Sequence, residues 1–244
     1  MPAGPSQEAV ADVELIWEGL RKAVWLVFSA DHEVMRISLL SLRVSLTATA
    51  VALLIGVPLG TAVALARFPA RNLIVSLINA GMGLPPVVVG LFVSILLFRN
   101  GPLGFLDLLY TPTAIVVAQV VIAAPIVIGL TLAAVQQIPG KFRLQMMALG
   151  ASRIQVLWLL LRQARMPMLA AVMAGFGGVI SEIGASMMVG GNIRGQTRVL
   201  TTATVMETGR GNFDIAIALS LLLLLITFGV NYLLTLIQQR ARTP

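Results

Sequence analysis

Two sets of residues in this chain have types and spacing that could do chemistry. The first is Glu182, the only acid well inside an apolar stretch, with Ser186 four residues later. An ionisable side chain at membrane depth is expensive, so a carboxylate there must face protein or water. Glu182 would repel a dianion, which makes it a candidate for a gate or a subunit contact rather than a ligand; the alternative is a structural hydrogen bond to a neighbouring helix. The second set is Gly190-Gly191-Asn192, followed by Arg194, Thr197 and Arg198. Successive backbone N–H groups with glycines among them can form a concave anion site, and arginines add charge-assisted hydrogen bonds. The same segment also reads as an interfacial or re-entrant loop whose arginines reach lipid headgroups.

Most other chemistry is excluded by composition. There is no cysteine, and His32 is the one histidine, so thiolate sites and most histidine-based catalysis or metal binding are ruled out. No Gly-x-x-x-x-Gly-Lys-Ser/Thr phosphate loop occurs, so any ATP must be hydrolysed on another chain. Neither a catalytic residue nor a bound metal is expected, and a membrane-embedded enzyme lacks the convergent acids and bases it would need.

The elements that position these residues must lie in a bilayer. The chain has 244 residues, of which 58% are hydrophobic and only 11% charged; a soluble domain carries about 25% charged residues. Charge-free windows long enough to cross the hydrocarbon core predict five transmembrane helices near 37–66, 72–98, 112–137, 167–189 and 214–238. The connections on one side hold nine Lys and Arg residues, among them Arg67, Lys141 and Arg165, against four on the other. The positively charged side is expected in the cytoplasm with the C-terminus, and the N-terminus outside. Residues 1–36 form a separate segment in which Trp17, Leu20, Val24 and Val27 recur at helical spacing opposite Glu14, Glu18 and Lys22. A helix so charged is expected to lie along the membrane surface; a sixth span near 12–30 is the alternative. Pro58, Pro85, Pro86 and Pro125 fall inside spans, where bends are expected.

Between the third and fourth spans, residues 138–166 are long for a passive connection. Helical periodicity on either side of Leu149-Gly150-Ala151-Ser152 predicts two short helices joined by a small-residue turn, with Met146 and Met147 exposed. The stretch Ala148-Leu149-Gly150-Ala151-Ser152 resembles the coupling loop of the permease subunits of ABC importers, with Leu144, Gln145 and Met146 where that family usually has Glu-Ala-Ala. Met82-Gly-Leu-Pro-Pro-Val-Val-Val-Gly-Leu91 and Ile180-Ser-Glu-Ile-Gly-Ala-Ser-Met-Met-Val-Gly-Gly-Asn-Ile-Arg-Gly195 are similar to segments of the molybdate, tungstate and sulfate permease group. The wording of Met187–Asn192 and Thr197–Thr202 most resembles the tungstate permeases.

That resemblance implies an all-α integral membrane protein of the type I ABC importer permease fold, with residues 37–244 as the permease domain. It implies a homodimer, cytoplasmic ATPase subunits that dock at 148–152, and an external oxyanion-binding protein. ATP and magnesium belong to the ATPase, and no cofactor is expected in this chain. Glu182, Ser186, Gly190, Gly191, Asn192, Arg194, Thr197 and Arg198 are the candidates to line or gate the translocation pathway. The expected localisation is the cell membrane, and no nucleic-acid partner is expected. The competing reading is an ATP-independent anion channel or carrier, although neither intramembrane ionisable pairs nor internal repeats are visible.

Overall fold

The structure is a computed structural model that describes residues 17–22, 25 and 31–240. All regular structure among the described residues is helical. Helix α1 (His32–Leu65) starts at Asp31, whose carboxylate accepts the Glu33 and Val34 amides at 3.0 Å each. A short polar side chain at this position satisfies donors that have no partner within the helix. Helices α2 (Arg71–Met82) and α3 (Pro86–Leu97) follow, then a loop and α4 (Pro112–Gln136), which Thr111 caps and Pro112 opens. Next come α5 (Gly140–Ala148), α6 (Arg153–Ile180), α7 (Gly184–Gly190), α8 (Leu200–Gly209) and α9 (Phe213–Arg240).

The bundle is organised around α4 packed along α1. The buried face of α1 is almost entirely small: Ser41, Ser45, Ala48, Thr49, Ala52, Gly56, Gly60 and Thr61. Small residues three and four apart let two helix backbones approach closely where lipid provides no hydrophobic drive. A Cβ on Gly56 would stand 2.6 Å from Val127 Cγ1, and one on Gly60 would stand 2.6 Å from the Ile128 carbonyl oxygen. The hydroxyls on this face donate to their own helix: Ser41 to Ile37, Thr49 to Ser45 and Thr61 to Val57, each at 2.7 Å. The seam is therefore close, and these α1 hydroxyls are satisfied within their own helix, while Thr131 Oγ1 of α4, against Gly60, has no hydrogen-bond partner among the described residues.

Among the described residues, α1, α4, α6 and α9 are long and apolar enough to cross a membrane, and α2 with α3 makes a fifth span if counted together. The bend expected at Pro85 and Pro86 is a sharp one. The two 12-residue helices meet at 101°, and each is about 18 Å long, too short to cross alone. Pro85 and Pro86 cannot donate to the helix, and the Pro85 carbonyl instead accepts Val88 and Val89.

The fourth span differs from expectation. It runs 153–180 rather than 167–189, so the second half of the 138–166 segment is continuous with it. Ser152 and Gln155 form a reciprocal cap that starts the helix, and Pro167 is carried inside it. The break falls at 181–183, where Ser181 Oγ donates back to Gly177 O at 2.8 Å. Glu182 thus lies between two helices rather than within one. Of the N-terminal segment, residues 17–22 and 25 are helical, Trp17, Leu20 and Trp25 are exposed, and Lys22 pairs with Asp214 at the start of α9. The remainder of the surface-helix expectation, and of the sixth-span alternative, lies outside the described residues.

Replacing Gly60 by Val should destabilise the α1–α4 seam by about 1–3 kcal/mol, the usual cost of overpacking. A lowered thermal midpoint in detergent, with Gly140→Val (where a Cβ meets nothing within 4 Å) as the unaffected control, checks this.

Candidate functional site

The candidate residues gather around the 181–183 break and the loop after α7. Glu182 is buried, and its Oε1 accepts the Ala185 amide at 2.8 Å. Its carbonyl accepts Thr201 Oγ1 from α8 at 3.0 Å. The Val179 carbonyl, where α6 ends, accepts the Glu182 amide at 3.2 Å and also Gln119 Nε2 from α4 at 3.0 Å. Three elements thus supply the partners that an interrupted helix needs in an apolar surrounding. Gln119 does not stand out in the sequence, because its partner is 60 residues away.

Ser186 lies on the buried side of α7, and its Oγ has no hydrogen-bond partner among the described residues. Gly90 of α3 passes so close to α7 that a Cβ on it would stand 2.6 Å from Ala185 Cα. Gly190 abuts Ile115 of α4 in the same way, at 2.8 Å from Cδ1. Gly191, Asn192 and Gly195 all have positive φ, of 68°, 50° and 74°, so the chain turns sharply twice between α7 and α8.

The loop's amides are largely engaged inside it. Gln196, Thr197 and Arg198 all donate to the Ile193 carbonyl, at 3.0–3.1 Å. Thr197 Oγ1 accepts the Ile193 amide at 2.9 Å and donates to the Gly190 carbonyl at 2.5 Å. Asn192 Nδ2 reaches the Thr202 carbonyl at 3.4 Å. Thr197 is therefore the brace of the loop, and the Gly191 and Ile193 amides are engaged by Met187 O and Thr197 Oγ1.

Its arginines meet a residue that the sequence reading left in the N-terminal segment. Glu33, in the first turn of α1, accepts Arg194 Nε at 2.7 Å and also Arg194 Nη2. Arg198 Nη1 lies 3.5 Å from the same carboxylate. Hydrogen bonding to Glu33, then its charge, holds the Arg194 guanidinium above its ordinary pKa. Arg194 is largely exposed, so solvent screens this pair. Arg198 is nearly buried, with 12% of its side chain exposed. The only hint in the sequence was an acidic excess in residues 1–36 facing the sparse arginines of the same membrane side.

At the other end of the bundle, Ala148–Ser152 forms an exposed turn between α5 and α6. The Leu149, Gly150 and Ala151 amides donate back to Gln145, Met147 and Met146, and Gly150 has φ 85°. Leu149 and Ile154 stand out at 81% and 79% exposure, with Leu144, Met147 and Trp158 also exposed. Met146 is half-buried instead of exposed. Arg162 lies over the Trp158 ring at 5.2 Å. An apolar knob of this kind, ringed with basic residues, is a docking surface in form.

Residues 56–243 match the family of binding-protein-dependent transport system inner membrane components. The chain belongs to that family: it is a multi-pass inner-membrane permease. Its relatives within that family include tungstate and molybdenum permeases. It is 40% identical over 227 residues to the tungstate uptake system permease protein of Peptoclostridium acidaminophilum, covering 93% of this chain and 100% of the relative. Identity to the corresponding tungstate permease of Campylobacter jejuni is 33%, covering 91% and 92%. It falls to 27%, covering 78% and 90%, for the molybdenum transport system permease of Escherichia coli. The fold is that of the permease in the MetNI methionine ABC transporter, with a TM-score of 0.68 at 19% identity over 86% of this chain and 94% of that one.

Glu182→Ala should cost about 1 kcal/mol of stability, the typical effect of losing a helix cap, whereas Glu182→Gln keeps an acceptor for the Ala185 amide. Thermal unfolding of the two variants side by side in detergent separates them.

Proposed function

We propose that this permease is the membrane subunit of an ATP-driven tungstate importer. The observation that carries the substrate assignment is the 40% identity across the full length of a tungstate permease. The chain acts as a homodimer, because five spans hardly enclose a path and a two-fold axis puts one at the interface. The bent α2–α3 pair supports this reading, since it exposes Leu73, Leu77, Leu91 and Phe92 rather than burying them within its own chain.

Each copy offers the 148–152 turn to an ATPase subunit, which binds ATP and magnesium. The excess of Lys and Arg on that side supports a cytoplasmic location for the turn and the C-terminus, with the N-terminus outside. The binding protein delivers tungstate to the opposite side, where Arg194 and Arg198 lie. ATP binding draws the two knobs together and favours the outward-open state; hydrolysis resets it. The partners act by their unequal affinity for the two states. Glu182, Ser186, Gly190, Gly191, Asn192 and Thr197 shape the gate through the break and the braced loop.

The test is uptake into liposomes carrying this chain with its ATPase and binding protein, with tungstate, molybdate and sulfate offered separately. ATP-dependent uptake favouring tungstate is expected. Uptake of another oxyanion would discard the substrate, and leakage independent of ATP would discard the importer. Gly150→Asp, which puts charge and a strained side chain at φ 85° on the docking turn, should abolish uptake while membrane insertion is unchanged.

A further inference from the structure

The rim between α1 and the 191–199 loop carries more cationic groups than its ion pair uses. A cavity of about 420 Å³ lies there, walled by Arg36, Arg194 and Arg198 on one side of the charge balance and by Asp31 and Glu33 on the other. Asp31 turns its carboxylate to the α1 amides. Glu33 therefore faces the guanidiniums, binding Arg194 through both oxygens. Arg198 Nε is buried with no hydrogen-bond partner. Arg36, whose Nη1 lies within 3.5 Å of where a Gly195 Cβ would be, has no ion-pair partner among the described residues. Buried donors without acceptors are uncommon, and such a donor marks a place where an acceptor fits.

Glu33, Arg194 and Arg198 also line a second cavity of about 360 Å³, reaching toward Met206 and Leu219. The ion pair is thus the partition between two cavities.

We propose that Glu33 is the resident anion of an arginine site for the transported oxyanion. Arg36, Arg194 and Arg198 receive the oxyanion when Glu33 leaves them, and the same departure opens the partition. This rests on the oxyanion-importer reading above. A tetrahedral dianion brings two charges and four acceptor oxygens where a carboxylate brings one charge and two oxygens. It can engage all three guanidiniums, including the unpartnered Arg198 Nε, with the planar donor forks that suit oxyanions. A tethered carboxylate competes at a high effective concentration, so a dilute monoanion arriving alone does not dislodge it.

The experiment uses the complete transporter in liposomes, with ATPase activity and uptake read against tungstate, with and without the binding protein. Glu33→Gln keeps the shape and removes the competitor. It should let free tungstate stimulate ATPase without the binding protein at concentrations lower by on the order of tenfold, the equivalent of one charge-assisted contact. Arg36→Gln, which disturbs no ion pair, should reduce uptake while the complex still assembles by size-exclusion chromatography. The charge-swapped Glu33→Arg/Arg194→Glu protein restores the pair but alters the site, and its uptake should stay low. Full uptake by the swapped protein, or an unchanged tungstate dependence in Glu33→Gln, would overturn the proposal and leave a structural ion pair. Wild-type transporter that takes up no oxyanion would overturn the importer reading itself, and this inference with it.

Discussion

Everything in this molecule depends on keeping backbone polar groups satisfied where there is no water to do it. A continuous helix does so by itself, and α1, α4 and α9 need little else. The cost appears where the chain breaks. At 181–183 the Val179 carbonyl takes a donor from Gln119, the Glu182 carbonyl takes one from Thr201, and the Glu182 carboxylate takes the Ala185 amide. A buried amide or carbonyl left alone costs roughly 1–3 kcal/mol, and α4 and α8, together with the Glu182 amide that also donates to Val179 at 3.2 Å, serve the break. The carboxylate in the membrane is accounted for by the helix it starts.

That placement is inherited from the α1–α4 seam. Gly56 and Gly60 bring the two backbones together, which fixes α4 and with it the depth of Gln119. The α1 helix extends beyond the seam to Asp31, so the same rigid element presents Glu33 and Arg36 to the loop after α7. Serine and threonine hydroxyls on the buried face bond to their own helix. The α1 side of the seam can therefore be polar in composition without requiring partners across it, whereas Thr131 Oγ1 on the α4 side is left without one among the described residues. One exception ties the systems together: Ser41 Oγ also accepts the Leu200 amide at the start of α8.

Much of this was legible in the sequence, and the rest was hidden for physical reasons. Charge-free windows report hydrocarbon thickness, so they locate α1, α4 and α9 within a few residues. They cannot see that a helix continues beyond the membrane. Arg153, Arg162 and Arg165 therefore separated a short cytoplasmic helix from the predicted span where α6 runs as one helix. Pro85-Pro86 announced a bend in the second span but not one of 101°. The signature at 180–195 directed attention to the right segment; the bracing by Thr197 and the pairing with Glu33, 161 residues from Arg194, are long-range facts with no local pattern. Gly150 was singled out for its small size, and its φ of 85° explains why a small residue is suited to the turn.

The unbroken run of α6 has a mechanical meaning. Its 28 residues make a rod about 42 Å long, with the exposed 149–152 turn at one end and the Glu182 break at the other. Such a rod is stiff along its axis, so a displacement imposed at the turn reaches the break without being absorbed on the way. Pro167 is the one place where the ladder of hydrogen bonds is interrupted, which makes it a flexure. Push and tilt are thereby separated: axial thrust passes through, and sideways motion is taken up at Pro167.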